Sequence, residues 1–226
     1  MKKGHDKLNK EKKGAGIRKP MLPDPRTYAF IDASNIYYGS KDAGFTVDYS
    51  KLKSYLVSRF SASRLFYFGA IDETKEEDHA FKAELLSLGY ELKLVHLKVF
   101  KDGKKKADTD SRMTFEMMKM FGEYDRAVVL SGDGDFYWVL EHLKEVKKRV
   151  WLLGMASRTA RDLTKLFGPN FIHLGNVRKS IEKNEADATF ASASGVDTSY
   201  SNRIRKSMKS EGVGDNGNPP FSGSTP

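Results

Sequence analysis

Apolar and polar positions along this chain fall into short blocks whose period changes repeatedly between that of a strand and that of a helix. Thr27 to Ile31 (T-Y-A-F-I) is β-branched, aromatic and apolar, which predicts a buried strand ending at Asp32. The A-S-N-I-Y-Y-G that follows is expected to turn away from it. Leu52, Tyr55, Leu56 and Phe60 share one face of a helix expected from about Asp48 to Phe60, with Asp48 or Ser50 as its cap. Next come a strand from about Arg64 to Ile71, a helix from about Glu76 to Leu88 and a strand from about Tyr90 to Leu97, with Gly89 separating the last two. Ala127 to Leu130 is a continuous apolar run, suited to a strand covered on both faces. A helix from about Phe136 to Val146, a strand at Arg149 to Leu153, a helix near Arg158 to Leu166 and a short strand around Phe171 to Leu174 complete the pattern. This alternation predicts an α/β fold with a central, mainly parallel sheet.

Lys98 to Ala107 breaks the rhythm with a D-G turn and three consecutive lysines, which predicts a small hairpin projecting from the sheet edge. The helix expected from about Thr109 to Phe121 then carries Asp110, Met113, Met117 and Phe121 on one stripe. Asp110 stands at the start of its buried face.

Candidate chemistry gathers around S-G-D-G-D-F at Ser131 to Phe136. Gly132 and Gly134 let the chain turn sharply out of a strand. Asp133 and Asp135 then stand where open parallel sheets place their ligands. Helix starts lie at the same edge as the carboxyl ends of the preceding strands, so Asp110 can approach Asp32, Asp133 and Asp135. Carboxylates so placed repel one another unless a cation intervenes, and a hard divalent ion suits oxygen ligands. Each residue also has a plainer role. S-G-D-G-D consists of ordinary turn formers, Asp32, Asp108 and Asp110 can cap helices, and Asn35 can serve a turn. For the metal reading to fail, all these placements must be coincidental at once.

Composition narrows the class. A chain of 226 residues, 39% of them hydrophobic, suffices for one folded unit with extensions. The absence of cysteine removes disulfides, thiolate metal sites and cysteine nucleophiles. With no apolar run of membrane-spanning length and no signal-peptide core, a soluble cytoplasmic protein without membrane association is expected. The formal charge of +9 is uneven, because residues 1–26 hold nine Lys or Arg against three Asp or Glu. A flexible basic arm over 1–26, a folded unit over 27–180 and a disordered tail over 181–226, rich in Ser, Asn, Gly and Pro, are expected. Such an arm suits a polyanion. His79, His96, His142 and His173 lack metal-ligand spacing, and Met113, Met117 and Met118 read as core. Tyr37 and Tyr38 are near enough to Asp32 to stack on a base, although core packing is the plainer role.

I-D-A-S-N at Ile31 to Asn35, K-K-K-A-D-T-D at Lys104 to Asp110, and S-G-D-G-D-F at Ser131 to Phe136 together resemble the NYN domain in its LabA-like bacterial branch, related to PIN-domain nucleases. The resemblance covers roughly residues 27–178. It implies a PIN-like three-layer α/β/α sandwich with an acidic pocket for Mg2+ or Mn2+, and ribonuclease activity, here of the endonucleolytic kind. By resemblance, Asp32, Asp110, Asp133 and Asp135 are the catalytic and metal-binding set, with Asn35 a companion and Ser131 in an orienting role. The chain departs from the family in having Ala33 after the first aspartate, and Asp108 where a glycine is usual. That departure leaves open whether Asp108 or Asp110 faces the metal. Glu116 is a further candidate that falls off the Asp110 stripe by about a third of a turn. Lys104, Lys105, Lys106, Arg158 and Arg161 are the expected RNA contacts. Two other readings stand beside this one: a non-catalytic module that binds RNA or protein on the same fold, and an aspartate-based phosphatase. A homodimer is among the open oligomeric states.

Overall fold

The computed structural model describes residues 25–71, 76–96, 98–99, 105–106 and 108–184. The strands are β1 (Thr27–Asp32), β2 (Ala62–Ile71), β3 (Glu91–His96), β4 (Lys98–Val99), β5 (Lys105–Lys106), β6 (Arg126–Leu130), β7 (Arg149–Gly154) and β8 (Phe171–His173). The helices are α1 (Ala33–Asp42), α2 (Tyr49–Phe60), α3 (Glu76–Ser87), α4 (Thr109–Lys119), α5 (Tyr137–Glu145), α6 (Arg161–Phe167) and α7 (Arg178–Ile181). Six strands form one sheet in the order β3-β2-β1-β6-β7-β8. Every pairing within it is parallel.

Side-chain alternation along β1 divides the core in two. Ala29 and Ile31 face a layer built on Ile36, Leu52, Leu56 and Leu85, from α1, α2 and α3. Tyr28 and Phe30 face Met113, Met117, Leu140, Leu143 and Leu163, from α4, α5 and α6. Both faces are covered, so the central strands are apolar throughout and β1 is buried along its whole length.

The two layers follow from the handedness of the connections. From β1 the chain steps outward through β2 to β3, and from β6 it steps the other way through β7 to β8. Right-handed crossovers in opposite directions must run over opposite faces. The reversal falls between β1 and β6, where Ile31 lies beside Leu130 at the carboxyl edge. Ligands of such sheets bind at this switch point.

Two local features differ from the sequence expectations, and a third agrees with them. The A-S-N-I-Y-Y-G segment continues as α1, because the Asp32 carboxylate caps it by accepting the Asn35 N–H at 3.1 Å. Beyond β8 the chain forms α7, whose Ile181 is fully buried, and Glu182 bridges Val47. Packed structure therefore extends past the expected boundary at residue 180. Finally, β4 and β5 pair antiparallel, as the hairpin reading required. Its D-G turn and Lys104 lie outside the described residues, as do most of the basic arm and the tail beyond residue 184.

Phe30 is the aromatic centre of the second layer. It is fully buried, stacks on Phe66 at 5.4 Å between centroids and meets Tyr124 edge-on at 5.5 Å. Phe30→Ala is expected to cost about 3–5 kcal/mol, through lost burial and the cavity left behind. Urea unfolding measures it. A loss below about 1 kcal/mol would mean that the layer closes over the gap.

Candidate active site

The site is assembled at the switch point from the end of β1, the loop after β6 and the start of α4. Asp32 has only 4% of its surface exposed, so its carboxylate must find donors inside the protein. Its Oδ1 accepts from the Ser34 hydroxyl at 2.9 Å and from the Asn35 N–H at 3.1 Å. Its Oδ2 accepts from the Ser131 hydroxyl at 2.9 Å. Burial pushes the Asp32 carboxyl above its ordinary value, these bonds oppose that shift, and the Asp133 charge adds to it.

Ser131 extends the network across the sheet. Its Oγ accepts the Asp133 N–H at 3.1 Å while its proton goes to Asp32. The Asn35 side-chain oxygen accepts the Gly132 N–H at 2.9 Å, which ties α1 to the same loop. Asp133 then caps a 3-10 turn at Gly134–Phe136, its Oδ1 accepting the Asp135 N–H at 2.9 Å. Gly132 is required by close approach: a Cβ there would overlap the Arg158 carbonyl oxygen and Thr159. The Ala160 N–H in turn donates to the Gly132 oxygen at 2.9 Å.

The start of α4 separates the two aspartates that the motif left open. Asp108 is the N-cap and accepts the Ser111 N–H at 3.3 Å. Asp110, in the first turn, lies in the field of the other carboxylates. Its carboxyl is pushed up to about 6, first by burial and then by the charges of Asp32, Asp133 and Asp135.

Glu116 is placed apart from this group. It is buried on the sheet-facing side of α4, with its oxygens paired to Lys93 at 3.3 Å and Arg112 at 2.8 Å. Arg158 pairs with Asp42 at 2.5 Å, and its guanidinium lies 5.5 Å from the Tyr38 ring centre. Arg161 opens α6. Lys105 and Lys106 form β5. Tyr37 and Tyr38 pack edge-to-face on each other at 5.2 Å.

Sequence reasoning missed Ser34 and the Thr159–Ala160 segment behind Gly132. Asp32 followed three residues later by Asn35 is an N-cap pattern that would have revealed α1, and with it the bond from Ser34. Nothing local marks Thr159, whose proximity to Gly132 arises only in three dimensions.

The donor set suits a hard divalent cation, because it consists of oxygens and holds more negative charge than its own hydrogen bonds neutralise. Among the described residues, no three Asp, Glu or His side chains are already gathered closely enough to hold an ion. Binding one would therefore draw carboxylates inward.

A six-stranded parallel sheet covered by helices on both faces, with Asp32, Asp110 and Asp133 supplied to its switch-point edge by three chain segments, defines a doubly wound α/β protein. The model of the NYN domain matches residues 26–175, and the chain belongs to that family. It is 29% identical over 180 residues to the low amplitude and bright protein LabA of Synechococcus elongatus, covering 74% of this chain and 94% of LabA. A crystal structure of a protein of unknown function from Vibrio parahaemolyticus shares the fold. Its TM-score is 0.58 at 24% identity, over 68% of this chain and 96% of that one. No helix among the described residues is long and apolar enough to cross a membrane.

The raised Asp110 carboxyl gives a stability prediction with a definite sign. A carboxyl whose folded value lies above its unfolded value of 3.8 favours folding only while protonated. That contribution is lost as pH rises from about 4 to about 6. In chelator at pH 8, Asp110→Asn is therefore expected to stabilise the protein by about 1 kcal/mol after allowance for solvent screening, or roughly 2–4 °C in Tm. At pH 4 the gain should vanish. Thermal melts at the two pH values measure the difference, and a destabilised variant at pH 8 contradicts the repulsion.

Proposed function

We propose that this protein is a metal-dependent endoribonuclease that hydrolyses RNA phosphodiester bonds, with Mg2+ or Mn2+ held by Asp32, Asp110, Asp133 and Asp135. What supports the reading is that β1, the loop after β6 and the start of α4 supply these four carboxylates to one edge of the sheet, where the charges of Asp32, Asp133 and Asp135 act on Asp110. Membership of a nuclease-like family supports the same class of chemistry. A bound divalent ion would lower the pKa of an attacking water and offset the charge that develops on the phosphoryl oxygens.

The protein's own contribution is position. Ser34, the Asn35 N–H and Ser131 hold Asp32 in one orientation. Ser131 couples Asp32 to the backbone of Asp133, so the two ends of the site move together. Asp135 is exposed, and half-buried Asp110 would complete the set from the first turn of α4. In this reading Arg158, which pairs with Asp42 at 2.5 Å, and Arg161, which opens α6, would contribute cations for substrate phosphates. No side-chain nucleophile is needed.

Purified protein incubated with a mixed RNA pool is expected to cleave it in Mg2+ or Mn2+ and not in chelator. Asp32→Asn and Asp133→Asn should abolish cleavage while retaining the fold. Ser131→Ala, which removes an outer partner rather than a ligand, should lower the rate by about 10- to 100-fold. RNA bound tightly but left intact under every metal condition would sink the nuclease reading in favour of a binding module.

Affinity for RNA should also fall steeply as salt rises, since phosphate contacts release counterions. A salt-independent affinity, measured with the Asp133→Asn variant to prevent turnover, contradicts a backbone-tracking site.

A further inference from the structure

Beside the carboxylates lies an open groove of about 570 Å³ between α5 and α6, lined by Tyr137, Trp138, Asp162, Lys165 and Leu166. Trp138 is 76% exposed, the most exposed large hydrophobic side chain among the described residues. Indole left in water at that level is a common mark of a binding surface. The ring is nonetheless held in place. It meets Tyr137 edge-to-face at 5.3 Å and 87°, and the Tyr137 hydroxyl donates to Glu141 at 2.8 Å. An edge-to-face contact occupies at most one face of the indole.

We propose that this groove stacks an unpaired base of the RNA strand on Trp138, next to the phosphodiester held at the carboxylates. The proposal rests on the RNA reading above and names a subsite for it. The groove opens at the start of α5, immediately after the 3-10 turn that carries Asp135. Trp138 follows Asp135 by three residues through a 3-10 turn into α5, an axial distance of about 5–6 Å. A strand whose backbone reaches Asp135 therefore brings its neighbouring nucleotide over Trp138. Lys165 on the far wall is 68% exposed and pairs with Asp162 at 3.2 Å, a weak surface pair that the next phosphate would have to replace.

The groove is open to solvent and wide enough to admit a single base. A second copy of the chain is a poorer occupant, because a stable dimer face takes about 20–30 residues a side and this groove offers a handful. Stacking on an aromatic face tolerates every base, so the subsite would select unpaired RNA over duplex without reading sequence.

The chain has two tryptophans, and Trp151→Phe leaves Trp138 as the sole indole reporter. In that background, with Asp133→Asn and chelator to prevent turnover, indole fluorescence is titrated with a short oligouridylate, its abasic counterpart and an RNA duplex. Quenching by the base-bearing single strand alone is expected. By fluorescence anisotropy of dye-labelled strands, which needs no indole, Trp138→Ala should weaken binding of that strand by about tenfold, Trp138→Phe should restore most of it, and binding of the abasic strand should be indifferent to both. Absence of quenching, or an equal loss for the abasic strand, overturns the subsite. So does concentration-dependent self-association that shields Trp138 without RNA, since it would make the groove a contact between copies. Quenching with no cleavage by the unaltered protein in Mg2+ or Mn2+ would retain the subsite and overturn the nuclease reading. Cleavage with no quenching and no effect of Trp138→Ala would do the reverse.

Discussion

The functional edge depends on one constraint: a carboxylate buried at the end of β1 must be satisfied without being neutralised. An unsolvated charge left without partners costs several kcal/mol, so Asp32 determines what can surround it. Its three donors come from two directions. Ser34 and the Asn35 N–H belong to the first turn of α1, whose positive end also favours the charge, and Ser131 belongs to the end of β6. Meeting the need of one side chain therefore sets the start of α1, the end of β1 and the exit from β6 relative to one another. The bond from the Asp133 N–H to Ser131 then carries that alignment into the acidic loop.

The same loop is supported from behind by the segment after β7. Only glycine at position 132 lets the Arg158 carbonyl and Thr159 come so close, and the bond from Ala160 to the Gly132 oxygen fastens the contact. Arg158 itself reaches back to Asp42 at the end of α1 and lies over Tyr38. Acidic loop, basic segment and capping helix thus form a closed circuit around the switch point. Moving any one of them would disturb the positions of the other two.

Much of this was legible in the chain because the signals are local. The apolar runs at Thr27–Ile31 and Ala127–Leu130 could only be strands covered on both faces, and β1 and β6 are the sheet's central pair. The placement of Asp32, Asp133 and Asp110 near one edge followed from the parallel topology alone, before any contact was known. Other features escaped for equally physical reasons. Helix α1 begins with Ala-Ser-Asn, whose helical character depends on the cap from Asp32 more than on an apolar stripe. The choice between Asp108 and Asp110 depends on which residue takes the cap, a difference of half a turn that the motif does not specify. Ile181 looked like the start of a polar tail, because its partners across the core are distant in sequence.

Glu116 and Asp32 show two ways in which this protein accommodates a buried carboxylate. Both are buried, at 2% and 4% exposure. Burial alone therefore does not mark the site. Glu116 is met by two cations, Lys93 and Arg112, so its charge is balanced within the fold and nothing further is required of it. The donors to Asp32 are hydroxyls and an amide, which orient the carboxylate but leave its charge unbalanced. Asp110 lies on the same helix as Glu116, and the charges of three further carboxylates act on it where Glu116 meets cations. One helix thus presents a balanced acid to the core and an unbalanced one to the switch point. The imbalance is the part of the structure that a divalent cation and a phosphodiester would complete.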